Sequence, residues 1–342
     1  MKTFGSGLSV VAGAALAMVL GLGAVAANTP VMPSNDYPDP YAKGVRFGQL
    51  PEGRQWGGVI AVTPGADGKS IWAFERCGGN CLSSDLPPVL HFDPEGKLLT
   101  SFGAGMFVFP HGIALDKAGN VYVADADGKN GKGDVVVKFS PEGKVLMTLG
   151  HAGMPGDATG YFNRPSAVTI APDGTIFVAD GHGGESNARI VKLAPDGTTL
   201  KTWGKKGAEP GEFNEPHGIA LDSQGRVFVA DRVNARIQIF DQDGKFLAEW
   251  RQFGRPSAVF IDKDDLIYVA DSQTEDPACA PDPGCHRGIR IGSARDGTVK
   301  YFIPRPNPDT DKSGGEGVAA DAAGNVFAGE NVGKGIRKYA KQ

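Results

Sequence analysis

One phrase recurs along the chain: Phe-Pro-His-Gly-Ile-Ala-Leu-Asp at 109–116, Glu-Pro-His-Gly-Ile-Ala-Leu-Asp at 215–222 and Arg-Pro-Ser-Ala-Val-Phe-Ile-Asp at 255–262. Each copy runs into a Gly- or Asp-containing turn, such as Lys117-Ala118-Gly119-Asn120, and then into a short segment ending Val-Ala-Asp, as at Val123-Ala124-Asp125. Two β-branched runs joined by such a turn read as a hairpin. A third strand follows in Arg189-Ile190-Val191-Lys192-Leu193 and Arg236-Ile237-Gln238-Ile239-Phe240, and a fourth in Leu200-Lys201-Thr202-Trp203 and Phe246-Leu247-Ala248-Glu249-Trp250. Four strands per repeat make a propeller blade.

Aligning the residue after the Pro-His or Pro-Ser pair gives Gly112, Ala167, Gly218 and Ala258, with Gly317 at the matching place in Gly-Gly-Glu-Gly, and a divergent copy starts at Gly58. The spacing of roughly 40 to 60 residues is that of propeller repeats. The expected fold is therefore all-β, a six-bladed β-propeller with four-stranded blades. A solenoid fits less well, because no helical pattern separates the strands and a stack would leave open edges that a ring removes. The last unit runs out after Gly335-Ile336-Arg337-Lys338-Tyr339, so the segment 44–50 is expected to supply its fourth strand and close the ring. Residues 44–342 then form one domain.

Residues 1–27 read as an export signal: Lys2, an apolar stretch from Leu8 to Leu22 and the small-residue site Ala24-Val25-Ala26. An uncleaved membrane anchor is the alternative. Cleavage near Ala27 would give a periplasmic or extracellular protein with no stable membrane insertion, preceded by an extended lead-in at 28–43 containing Pro30, Pro33, Pro38 and Pro40. A net charge of −4 over 342 residues excludes a nucleic-acid binder of the usual basic kind. The expected state is a monomer. Cys77, Cys81, Cys279 and Cys285 form two close pairs, and in an oxidising compartment the pairings 77–81 and 279–285 are favoured by proximity among three connectivities. A four-thiolate zinc site is the alternative.

Corresponding positions of successive blades lie at one height around the ring. His111 and His217 are equivalents two blades apart; the same position is Ser166, Ser257 and Glu316 elsewhere. On alternate blades His111, His217 and Glu316 would form a triangle about the axis, suited to zinc with a position open for water or substrate. Hydrogen bonding of each His to a neighbouring blade is the plainer alternative. Arg76, after the strand 71–75, is a candidate clamp for a substrate carboxylate or else a partner of a nearby Asp. His182, after Asp180-Gly181, is a candidate general base or an exposed loop residue. Asp125, Asp180, Asp231 and Asp271 recur too regularly for catalysis and read as turn-capping carboxylates, with the Arg232 to Arg236 run beside them. His91, His151 and His286 read as strand or loop residues.

The blade phrase resembles the NHL-repeat propellers. Phe109-Pro110-His111-Gly112, Asp180-Gly181 before Asn187-Ala188-Arg189-Ile190-Val191, Glu215-Pro216-His217 and Val229-Ala230-Asp231-Arg232-Val233-Asn234-Ala235-Arg236-Ile237-Gln238 together resemble peptidyl-α-hydroxyglycine α-amidating lyases from about Gly48 onward. The resemblance implies a zinc held by three His residues, of which two match His111 and His217 and the third falls on Glu316. It implies a substrate-binding arginine at Arg76 and an active-site tyrosine where this chain has His182. It also implies an axial calcium held by the carbonyls of Val59 and Ile113 and by an Asp whose place is taken here by Gly317. The implied reaction splits the C–N bond of an N-substituted α-hydroxyglycine, a small or peptide substrate with a carboxylate, into an amide and glyoxylate. A non-enzymatic propeller presenting its rim loops to a protein or glycan, and a calcium-dependent lactone hydrolase, are the competing expectations.

Overall fold

The computed structural model describes residues 1–3, 5, 31–79, 81–274, 286–306 and 315–342. Most of residues 1–27, and Cys279 and Cys285, lie outside these residues, so the expectations placed on them are not addressed by the structure. No described helix is long and apolar enough to cross a membrane.

Six four-stranded antiparallel sheets account for the described strands. Five are continuous in sequence. The sixth joins Gly315–Ala320, Val326–Glu330 and Gly335–Tyr339 to the opening strand Val45–Phe47, with Phe47 opposite Ile336 and Val45 opposite Lys338. The early segment thus closes the ring, as the missing fourth strand required. Phe47 is buried between Phe327, 5.0 Å away, and Phe92 of the first blade, 6.1 Å away, both edge-on.

Burial explains the sequence pattern. Second strands such as Val121–Asp125, Ile176–Asp180 and Val227–Asp231 are buried at every position, because blades cover both faces, and they read as unbroken β-branched and aromatic runs. Outermost strands such as Thr199–Trp203 face solvent and alternate less cleanly. The innermost strands meet closely around the axis. A Cβ on Gly112 would lie 2.8 Å from the Ala167 Cα and the Ser166 carbonyl oxygen of the next blade, so this position admits glycine.

Each second strand ends in a carboxylate, which in the first four blades binds the chain entering that blade. Asp125 accepts from the amides of Val108 and Phe109, Asp180 from Asn163, Asp231 from Asn214 and Glu75 from Gly57. These are the capping groups that the repetition suggested. In five blades an arginine neutralises the buried charge: Arg54 on Glu75, Arg189 on Asp180, Arg236 on Asp231, Arg290 on Asp271 and Arg337 on Glu330.

Candidate functional site

The first strand of every blade carries a β-bulge immediately after its opening residue. In the second blade Pro110 pairs with Asp125 and Gly112 with Ala124, leaving His111 outside the ladder. The same irregularity frees Ile60, Ser166, His217, Ser257 and Glu316. A bulged residue is re-aimed by the local kink, and all six line a central cavity of about 210 Å³.

His111 and His217 are each 3% exposed, with rings 4.5 Å apart. Their Nδ1 atoms donate to the carbonyl oxygens of Ser166 and Ser257 in the following blades, at 2.6 Å each. That bond fixes the tautomer and leaves Nε2 as a lone-pair donor. Both Nε2 atoms are buried with no partner. Burial, then neighbouring positive groups, drives both imidazoles well below their ordinary pKa, so they are neutral. The plainer sequence alternative is thus half of the geometry: one nitrogen of each ring serves the next blade, and the other is left for a ligand.

The third imidazole beside them is His182. Its ring lies 4.4 Å from that of His111 and 5.1 Å from that of His217, and the three residues offer nitrogens all within 4.8 Å of one another. His182 follows a buried second strand on a loop, outside the repeated phrase, and its Nδ1 has no partner. Its pKa is lowered to about 3 by burial and then by Arg232, Arg164 and Arg76. A group so reluctant to take a proton suits ligation better than the general-base role read from sequence.

Glu316 borders the cluster, with Oε1 3.5 Å from His217 Nε2. The same oxygen accepts from Arg232 Nη1 at 2.9 Å, while Arg232 Nη2 reaches Glu215 Oε1 at 2.6 Å. Arg232 bridges two carboxylates at the mouth of the site, beyond the turn-capping place it has in sequence. The hairpin register was the available signal: Pro216 pairs with Asp231, which sets Glu215 and Arg232 side by side.

Arg76 lies on the same mouth with its guanidinium 3.6 Å above the Phe109 ring, a cation–π arrangement. Nη1 donates to Asn331 Oδ1 at 3.3 Å, Nε is buried without a partner, and no described carboxylate pairs with it. Burial lowers its pKa to about 10, so it stays cationic at neutral pH. The disulfide Cys77–Cys81 ties down the turn that follows it. The remaining histidines stand elsewhere: His91 stacks on Trp72, His151 on Tyr161, and His286 is exposed.

Three neutral imidazoles with unpartnered buried nitrogens fit a zinc-type ion. The axial calcium fits less well. Ile113 lines the channel, but the Val59 carbonyl lies against Gly329, Gly317 brings no side chain, and Glu316, the one lining carboxylate, is held by Arg232.

The NHL repeat family matches residues 107–131 and 213–240. The chain is 36% identical over 172 residues to the human NHL repeat-containing protein 3, covering 48% of this chain and 49% of that protein. It is 32% identical over 268 residues to the Xenopus laevis peptidyl-glycine alpha-amidating monooxygenase A, covering 74% of this chain and 27% of that protein. It is 36% identical over 149 residues to a probable peptidyl-alpha-hydroxyglycine alpha-amidating lyase of Caenorhabditis elegans, covering 43% and 41%. The chain thus spans about half or less of the length of these relatives. Among solved structures, a streptogramin B lyase aligns with a TM-score of 0.56 at 13% identity, covering 87% of this chain and 97% of that one. A gluconolactonase of Xanthomonas campestris aligns with a TM-score of 0.59 at 14% identity, covering 90% and 100%. These two likenesses concern the fold alone.

Proposed function

We propose that this six-bladed propeller, which carries NHL repeats and is similar to peptidyl-α-hydroxyglycine α-amidating lyases, is a metal-dependent carbon–nitrogen lyase acting on N-substituted α-hydroxyglycines. The products are the amide and glyoxylate. The observation that carries the reading is the meeting of three unpartnered neutral imidazole nitrogens with a half-buried arginine that has no carboxylate of its own. Zinc is the proposed ion and His111, His217 and His182 its proposed ligands. Bound there, it would supply Lewis-acid polarisation of the substrate oxygen.

The chain's own groups account for binding and proton movement. Arg76, fixed on Phe109, holds the substrate carboxylate through charge-assisted hydrogen bonds and places the hydroxyl-bearing carbon over the imidazoles. Glu316 is placed to take the hydroxyl proton as the carbonyl of glyoxylate forms and the C–N bond breaks, and to return a proton to the amide nitrogen. Arg232 orients that carboxylate. The Cys77–Cys81 disulfide supports action in an oxidising compartment, periplasmic or extracellular.

The test is product analysis with N-benzoyl-α-hydroxyglycine and zinc-replete protein. Glyoxylate and benzamide should appear in equal amounts. Arg76→Ala should lower kcat/KM about 100-fold, the loss expected for a charge-assisted carboxylate contact made in a half-buried site. Absence of glyoxylate from zinc-replete protein contradicts the reading.

A further inference from the structure

The second blade departs from the rule that the other five obey. Its terminal carboxylate, Asp125, is fully buried, yet no described arginine or lysine forms an ion pair with it. In the third and fourth blades the arginine stands directly opposite the carboxylate, and in the second blade that place is apolar. Asp180 faces Arg189 and Asp231 faces Arg236, whereas Asp125 faces Val135. In place of the arginine the connecting segment 125–134, Asp-Ala-Asp-Gly-Lys-Asn-Gly-Lys-Gly-Asp, brings in two more carboxylates.

Asp134 is 1% exposed. Its Oδ1 accepts from the Arg164 amide at 2.9 Å, and its Oδ2 is buried with no partner. That oxygen is aimed at Gly128 inside the loop, where a Cβ would collide with it. A Cβ on Gly133 would collide with the Asp127 carbonyl oxygen and lie 3.2 Å from Asp125 Oδ2. Three oxygens, Asp134 Oδ2 beside Gly128 and the Asp127 carbonyl and Asp125 Oδ2 beside Gly133, thus face into this short loop at positions that a Cβ would block. Arg164 spends Nε on the Ala126 carbonyl and forms no ion pair with Asp125, Asp127 or Asp134. The cluster resists ionisation: burial lifts Asp125 to about 7, and burial with the charge of Asp127 lifts Asp134 even against the opposing pull of the Arg164 amide and guanidinium.

We propose that the 125–134 loop of the second blade binds a calcium ion through Asp125, Asp134 and the Asp127 carbonyl, replacing the arginine used by the other blades. Carboxylate and carbonyl oxygens without nitrogen or sulfur select a hard cation, and a loop rather than a rigid octahedral cage favours calcium over magnesium. The proposal is independent of the lyase reading, since the loop shares no residue with the imidazole cluster.

Calorimetric titration of chelator-treated full-length protein with CaCl2, paired with thermal melts, tests it. The wild type should bind one calcium that Asp134→Asn does not bind, and calcium at about 100 times its Kd should raise Tm by about 4 °C. The amide still accepts from the Arg164 N–H, so this variant keeps the loop's hydrogen bond. The His111→Ala/His217→Ala double variant should keep the full calcium response. Val135→Arg, which places an arginine opposite Asp125 as in the third and fourth blades, should abolish the response in folded protein. No calcium binding by the wild type, or undiminished binding by Asp134→Asn as an ion on the propeller axis would give, overturns the proposal.

Discussion

His111 and His217 face the axis because a bulge that recurs in every blade turns the same position inward, at the phase that the repeated phrase sets. His182 was legible as a candidate but not as their third neighbour, because it sits on a loop whose path no repeat dictates. Glu316 holds the ring position that its phase assigns, and its side chain is taken up by Arg232. A titration checks the setting of His182. In the metal-free folded chain its pKa is about 3, against an ordinary 6.5. Between those values the unfolded chain binds a proton that the folded chain refuses, so this residue's contribution to stability falls as pH drops below about 6.5, by about 1.4 kcal/mol per unit. His182→Gln removes the penalty. Urea denaturation of the metal-free proteins from pH 6 to pH 4 should show the variant gaining on the wild type at about that slope, and a gap that stays flat would mean that His182 is not buried in neutral form.

Among the elements, the hairpins and blade count followed from β-branched runs and turn residues, and the need for a closing strand followed from a final blade one strand short. The element least visible was the connection after each second strand. Its capping carboxylate recurs, but its partner is an arginine at the first position of the next strand (Arg189, Arg236), at the third (Arg290, Arg337), ahead of the blade altogether (Arg54), or in the second blade no arginine at all. Closure makes a distinct prediction. Phe47 joins the first and last blades through Phe92 and Phe327, so Phe47→Ala should cost about 3 kcal/mol. Urea melts should show a lower midpoint at unchanged m-value. A cost below about 0.5 kcal/mol would show that the seam contributes little to the stability of the ring.

For the whole molecule, the repeat that builds the ring also makes the site. Six copies of one bulge around an axis point six side chains at one cavity, and evolution of chemistry needs only substitutions at that single position and in the loops above it. Ile60, Ser166 and Ser257 keep the cavity neutral on three blades, while His111, His217 and Glu316 occupy the alternate three. The central claim is that His182, from a loop, completes the imidazole set and Glu316 does not. Metal content per chain, measured by plasma mass spectrometry on the wild type, His182→Ala and Glu316→Gln after equilibration with limiting zinc, tests it most directly. The account predicts one zinc in the wild type and in Glu316→Gln and its loss from His182→Ala; zinc retained by His182→Ala but lost from Glu316→Gln would contradict it.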